Sequence, residues 1–411
     1  MVNKEIINKI LLTLFFPSFI SGVATTNYFF LILILITIIL NFKNFIKLII
    51  IYQSYIKFFF VFYFILLISS LISDHVYHSL QSSLLYFAYI LYVLSMIIIM
   101  TSDEKNPIFF LNVGILTFVL VCFDAFIEIY FGYNLFGNHS IPGRISGLFN
   151  DRWVIGSYLV RFLPILIGLF LININNFSSF QKTIIIFSFF LTSIIIIFSG
   201  ERTAYLLFII YLSLMIIYLI RKLKISHILF FSIFIILFLL LPFLFDENSD
   251  RMLNKIYFYL TNLNYHENQY LSLYKTGLNM FIKNPLLGQC QVKGSLLGIG
   301  PNNFRLSCSE EIYYLSEFSC STHPHNIFIQ LLAEVGILGT AMVYFVFLYF
   351  CKIMFFKIYN QKFNIYEFGL FSIISSVFIN LWPLITSGNF FLSWNGFINF
   401  LPIIFYLFYK K

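Results

Sequence analysis

Runs of apolar residues about as long as a bilayer is thick follow one another along almost the whole chain, separated by short polar connections. A transmembrane helix needs about 20 predominantly apolar residues. A sliding reading places such stretches near 9–25, 28–42, 56–73, 83–100, 108–130, 154–173, 183–199, 202–220, 227–245, 326–350, 366–385 and 390–408. The pattern predicts an all-α polytopic membrane protein of about 12 transmembrane helices with one large, partly helical loop. Helices 1 to 9 occupy 1–245, the loop 246–325 and helices 10 to 12 occupy 326–411. The first apolar stretch lacks a small-residue cleavage site and runs into further spans, so no cleavable signal peptide is expected.

Composition excludes a soluble globule. Of the 411 residues 60% are hydrophobic and 10% charged, against roughly 25% charged in an ordinary soluble domain. The formal charge of +8 resembles that of a nucleic-acid binder until the basic residues are placed on the topology. With the N terminus in the cytoplasm, Lys4, Lys9, Lys43, Lys47, Lys57, Lys105, Lys182, Arg221, Lys222 and Lys224 fall inside, and so do Lys352, Lys357, Lys362, Lys410 and Lys411. The short outer connections hold Arg144, Arg152, Arg161 and Arg202, and a long translocated loop has no vote in the positive-inside rule. The charge is a topology signal, with both termini inside, and no nucleic-acid partner is implied.

Within the loop, apolar residues at helical spacing over 271–282 predict a helix that Asn284-Pro285 ends. Glycines over 288–301 predict turns, and a second helix is expected to start at Pro324 and descend into the membrane. Cys290, Cys308 and Cys320 fall on the outer side, where disulfides persist. A Cys308–Cys320 bridge would close a short loop, Cys290 is an alternative partner, and three free thiols remain an alternative to both.

Charged residues at a bilayer edge are expensive and mark candidate function. Three outer clusters carry them: 143–152 with Arg144 and Arg152, leading to Arg161; Ser199-Gly200-Glu201-Arg202-Thr203; and 300–305 with Arg305, followed by Thr322-His323-Pro324-His325-Asn326. Guanidinium forks suit phosphate oxygens, and a helix starting at Pro324 would add an anion site. Beside that positive end His325 would be neutral, the form that acts as a base. Each residue also has a structural reading. Arg152 and Arg161 would snorkel to headgroups, Arg202 would pair with Glu201, His323 would cap the helix, and Glu334 would be buried in a salt bridge with a neighbouring helix. His75, His78, His139, His227 and His266 carry no motif. His323 and His325, two apart, do not share a helix face, and with no H-E-x-x-H or paired C-x-x-C pattern a metal site is not expected.

His325-Asn326, nine residues, then Gly336-Ile337-Leu338-Gly339 fit the pattern H-[NSQ]-x9-G-x-x-G. The pattern resembles the bacterial O-antigen ligase superfamily, which includes ligases, O-antigen polymerases and protein O-oligosaccharyltransferases. The contexts 322–327 and 333–336, Asn284-Pro285-Leu286-Leu287-Gly288, Gly300 to Arg305, Arg144 to Leu163 and the Ser199–Thr203 turn are similar to it too, so the resemblance covers roughly 110–350. It departs from the pattern at Asp151-Arg152-Trp153 and at an insertion from Cys290 to Leu297.

The resemblance implies a glycan transferase of the inner membrane with a periplasmic loop and active site. Its donor would be a glycan on undecaprenyl diphosphate. Its acceptor would be the lipid A core in a ligase, or another lipid-linked unit in a polymerase. By motif, His325 would take the acceptor's proton, and Arg202, Arg305 and Arg144 would bind the diphosphate. His323, Asn326, Glu334, Gly336 and Gly339 would support them. No cofactor is implied: arginines that stabilise the leaving charge could replace a metal, and direct attack would invert the anomeric centre. A transporter of a lipid-linked or anionic solute is the rival reading, but transporters place polar sites near the midplane, whereas these charges cluster outside.

Overall fold

The computed structural model describes residues 4–410 apart from 142, 151, 221, 284–295, 361 and most of 223–253, of which 233, 236 and 240 are described. The expected span 227–245, the Asn284-to-Gly288 motif, Asp151, Cys290 and the start of the loop therefore lie outside the described residues.

The molecule is 76% helical, with no strand among the described residues. In chain order the helices are α1 (Lys4–Ile20), α2 (Val23–Ile51), α3 (Gln53–Leu71), α4 (Val76–Tyr86), α5 (Ala88–Ser102), α6 (Asn106–Phe131), α7 (Ile155–Ile172), α8 (Ser179–Phe198) and α9 (Arg202–Ile220). Three short ones follow, α10 (Lys255–Thr261), α11 (Gln269–Lys283) and α12 (Phe304–Ser307), then α13 (Ile327–Asn360), α14 (Ile365–Asn380) and α15 (Ser393–Tyr409). Among the described residues eight helical stretches are long and apolar enough to cross a membrane, counting Val76–Ser102 as one. The shorter α1, α14 and α15 coincide with three more of the expected spans. The fold is that of an all-α polytopic membrane protein.

Aromatic rings fill the bundle: Phe30 stacks on Phe397 at 3.8 Å and Phe16 meets Phe110 at 4.8 Å, tying α2 to α15 and α1 to α6. The most intimate pair is α7 with α14. A Cβ added at Gly168 would meet the Gly369 carbonyl, and one at Gly369 the Gly168 carbonyl, so only small residues allow these backbones their approach. Pro164 interrupts the α7 hydrogen-bond ladder. Ser372 and Ser376 donate to the carbonyls of Pro164 (2.7 Å) and Arg161 (3.1 Å) in that loosened turn.

Basic residues gather at one end of the bundle. Lys357 pairs with Glu367, Lys222 donates to the Lys357 carbonyl, and Lys410 to the Tyr55 and Tyr349 hydroxyls. Towards the other end, α11 lies against the N-terminal part of α13, and Leu273, Met280, Ile299, Phe304, Cys308, Tyr313 and Ala333 form a small second core. A Cys308–Cys320 disulfide closes its edge.

Helix α13 is two helices in one. Gly336 has φ 65° and ψ −166°, a left-handed break. Groups released there are taken up by the segment before α12: Ile299 and Gly300 N–H donate to the Ala333 and Glu334 carbonyls (both 2.9 Å), and Leu338 N–H to the Leu296 carbonyl (3.2 Å). A Cβ at Gly298 would strike the Glu334 and Val335 backbone, and one at Gly336 the Leu296 and Leu297 backbone. Gly339 faces Val335 across the same break. Both glycine motifs thus serve one joint.

Candidate active site

The N-terminal half of α13 starts at Ile327, three residues later than expected, because Asn326 is its cap. The Asn326 Oδ1 accepts from Phe328 and Ile329 N–H (3.0 and 3.1 Å), and its Nδ2 donates to the Pro383 carbonyl (2.7 Å). His323 is therefore not the helix cap. It is buried, with Nε2 2.9 Å from the Ser387 carbonyl. A carbonyl only accepts, so Nε2 carries the proton and Nδ1 accepts from the Thr322 hydroxyl at 2.9 Å. Burial and the neighbouring His325 push the His323 pKa down to about 4.

His325 adopts φ 56°, a left-handed conformation that histidine tolerates better than most residues. Its carbonyl accepts from Ser387 N–H at 2.8 Å, which offsets the strain. The ring lies 4.2 Å from that of His323, and Nε2 shares a 3.3 Å hydrogen bond with the Ser321 hydroxyl. Burial lowers its pKa, against a smaller upward pull from a backbone hydrogen bond to Ser387. The imidazole is neutral at neutral pH and able to accept a proton.

Glu201 does not pair with Arg202. Its carboxylate caps α7, accepting from Gly156 N–H (2.6 Å), Ser157 N–H (3.2 Å) and the Ser157 hydroxyl (2.6 Å). Burial raises its pKa, while Ser157 and the charge of Arg144 pull it down. Gly200, at φ 70°, lies so close to the Gly143 carbonyl that a Cβ would overlap it, which seats the Arg144 loop on the Glu201 turn. The loop is anchored below by Glu128 of α6, which accepts from Ser146 and Gly147 N–H. Arg144 donates to the Trp153 carbonyl at 3.0 Å with its guanidinium over the Trp153 ring.

Arg202, the first residue of α9, places its guanidinium carbon 5.0 Å from the centre of the Tyr259 ring. Its Nη1 is buried without a hydrogen-bond partner among the described residues. Tyr259 packs edge-on to Tyr270 at 4.8 Å, and Tyr270 edge-on to His325 at 6.0 Å. Two tyrosines from the short helices and their connection thus bridge the arginine and the imidazole. The hydroxyls of Thr203 and Thr386 also bond, tying α9 to the connection that holds both histidines.

Arg305 is exposed on α12 and donates through Nη2 to Nε2 of His78 at 3.1 Å. A polar chain leads from it into the bundle. Asn302 Nδ2 reaches the same His78 nitrogen (3.3 Å), Asn389 donates to Asn302 (2.9 Å), and Gln330 donates to Asn389 (2.7 Å) and to Glu334 (2.9 Å). Glu334 is fully buried, but no cation pairs with it among the described residues. It accepts from Phe304 N–H (2.9 Å) and Gln330, so the expected salt bridge is replaced by hydrogen bonds.

Neither Arg152 nor Arg161 snorkels. Arg152 donates to the Ile20 carbonyl, and Arg161 is buried inside the bundle against Asn380 (3.1 Å). The sequence reading passed over His78, Glu128 and the 381–392 connection with Ser387 and Asn389. His-after-span and Asn-rich turns were the available signals, and Ser387 and Asn389 fell in the short gap between the spans expected at 366–385 and 390–408.

The chain is thus a polytopic membrane protein in which a buried, neutral imidazole just before α13 is joined through two tyrosine rings to Arg202 at the head of α9, with Arg305 apart from them on His78. Residues 187–344 match the family model described as O-antigen ligase, and this match supports the O-antigen ligase superfamily. The matched segment runs from α8 through α9 and the short helices to beyond Gly339 of α13. It indicates ligase- or polymerase-type function in general, a glycan-transferring enzyme type and lipid-linked glycan substrates. No curated protein matches the chain.

Proposed function

We propose that the protein transfers a glycan from undecaprenyl diphosphate to an acceptor hydroxyl, with ligation to the lipid A core as the first reading. The observation that carries it is Arg202: a guanidinium with a buried, unpartnered Nη1, joined through two tyrosines to a neutral histidine. A buried donor without a partner calls for one, and a diphosphate oxygen matches its charge and geometry.

In this reading the acceptor hydroxyl takes the place of Ser321 at His325 Nε2. Its oxygen bonds to the anomeric carbon as the bond from that carbon to the diphosphate breaks. The proton passes to His325, and the electron pair leaves on the diphosphate. Arg202 and Arg305 stabilise that charge, and Arg144 adds its field from beside Glu201. Backside attack inverts the anomeric centre. His323, with both nitrogens engaged, positions Ser387 and hence the His325 backbone. The site lies on the periplasmic side of the inner membrane, opposite the lysine-rich end, with both termini cytoplasmic.

The test is the surface lipopolysaccharide of a deletion strain carrying wild-type or His325→Ala protein. A ligase leaves bare core in the deletion while long glycan accumulates on undecaprenyl diphosphate, and His325→Ala does not rescue. Single repeat units on the core with long chains missing identify a polymerase instead. An unchanged pattern, with solute movement by the purified protein in vesicles, would favour transport.

A further inference from the structure

Building on the donor reading above, we infer that Tyr259 and Tyr270 form the subsite for the first sugar of the lipid-linked donor, the one bonded to diphosphate. In a displacement with inversion, leaving group and attacking oxygen stand on opposite faces of the anomeric carbon. The sugar that owns this carbon must lie between the group that receives the diphosphate and the group that takes the acceptor's proton. Here those groups are Arg202 and His325, and the interval is lined by the two rings, with successive separations of 5.0, 4.8 and 6.0 Å.

The chemistry of the rings suits a pyranose. A tyrosine offers an apolar face to the C–H groups of a sugar and a hydroxyl that donates and accepts at its rim. Both side chains are only partly buried, and neither hydroxyl is bonded to a described residue. Rings serving only to pack α10 on α11 would have no need to connect an arginine at the head of α9 with a histidine in the connection before α13. The backbone behind them is fixed: Asn268 donates to the Tyr259 carbonyl at 2.9 Å, and Ser272 bonds Ser316 at 2.7 Å. Ring positions are therefore set before a sugar arrives.

The experiment uses full-length protein in lipid nanodiscs and two probes, undecaprenyl diphosphate and the same lipid carrying one N-acetylhexosamine. Wild-type protein is expected to bind the sugar-bearing lipid about tenfold more tightly. Tyr270→Ala erases that difference while leaving the affinity for the bare lipid. Tyr259→Ala, which also removes the ring under Arg202, erases the ratio of the two affinities whatever it does to each. Tyr270→Phe, which keeps the ring, retains most of the difference. Tyr270→Leu, which preserves bulk without a π face, serves where an alanine variant does not fold. Equal binding of both lipids by wild-type protein, or a difference untouched by the alanine and leucine variants, overturns the subsite. Binding of neither lipid by wild-type protein removes the donor reading beneath it, and the subsite falls with it.

Discussion

The rings of His323 and His325 lie 4.2 Å apart, yet they stand in opposite chemical situations. His323 has one nitrogen on the Ser387 carbonyl and the other on the Thr322 hydroxyl, whereas His325 touches a single serine hydroxyl through Nε2. Replacing them should separate the roles. His325→Ala is expected to abolish transfer while donor binding survives, measured with purified protein in lipid. Loss of donor binding would assign His325 to the diphosphate instead.

The pH profile follows from the same pair. In the proposed role the acting form of His325 is neutral, and burial sets its pKa below the ordinary 6.5, so transfer should hold steady from pH 8 down through 6.5 and fall only below it. His323 takes up a proton at about pH 4 when folded and near 6.5 when unfolded. The unfolded chain binds the extra proton between those values. The stability His323 contributes is therefore complete above 6.5 and lost as pH falls towards 4. Thermal unfolding in detergent at stepped pH checks the second point, and a rate that rises through pH 7 contradicts the first.

Arg305→Lys keeps the charge and loses the planar fork. Donor affinity should drop about tenfold, read by titration with undecaprenyl diphosphate. Activity equal to wild type would remove Arg305 from the site and leave it as the partner of His78.

Gly298→Ala and Gly336→Ala each force a side chain into a left-handed backbone and against a neighbouring main chain. Left-handed geometry alone costs roughly 1–2 kcal/mol per residue, and the collision adds to it. Both variants should unfold at lower temperature, and a melting point equal to wild type would contradict the joint at Gly336.

Cys308 and Cys320 are 12 residues apart, so their bond removes roughly 3 kcal/mol of unfolded-state entropy on the chain-entropy model. Replacing both with serine should leave the spans intact and make the segment around 304–326 sensitive to protease added from its own side. Unaltered resistance would mean that the second core holds that segment unaided.

Long apolar runs made most of the spans legible, because hydropathy reads one helix at a time and a bilayer demands a whole helix of it. The spacing marked Asn326, Gly336 and Gly339 as a set, but not as the helix cap and the left-handed break that they form. The partners were not legible. Glu201 looks towards Arg202 in sequence but bonds to α7, and Glu334 takes backbone and amide donors instead of a cation. Hydropathy left Ser387 and Asn389 as a bare gap between two spans, although Ser387 holds both histidines through hydrogen bonds from some 60 positions away.

The break at Gly336 separates two mechanical tasks. Below it, α13 is a membrane span whose tilt answers to lipid thickness and to its neighbours. Above it, a short half-helix carries His325 and takes its orientation from the 296–300 segment and the 381–392 connection. The 296–300 segment bonds to both sides of the break, so a bilayer that thins or thickens and tilts the lower half would reach His325 through this one splint and not through a continuous helix.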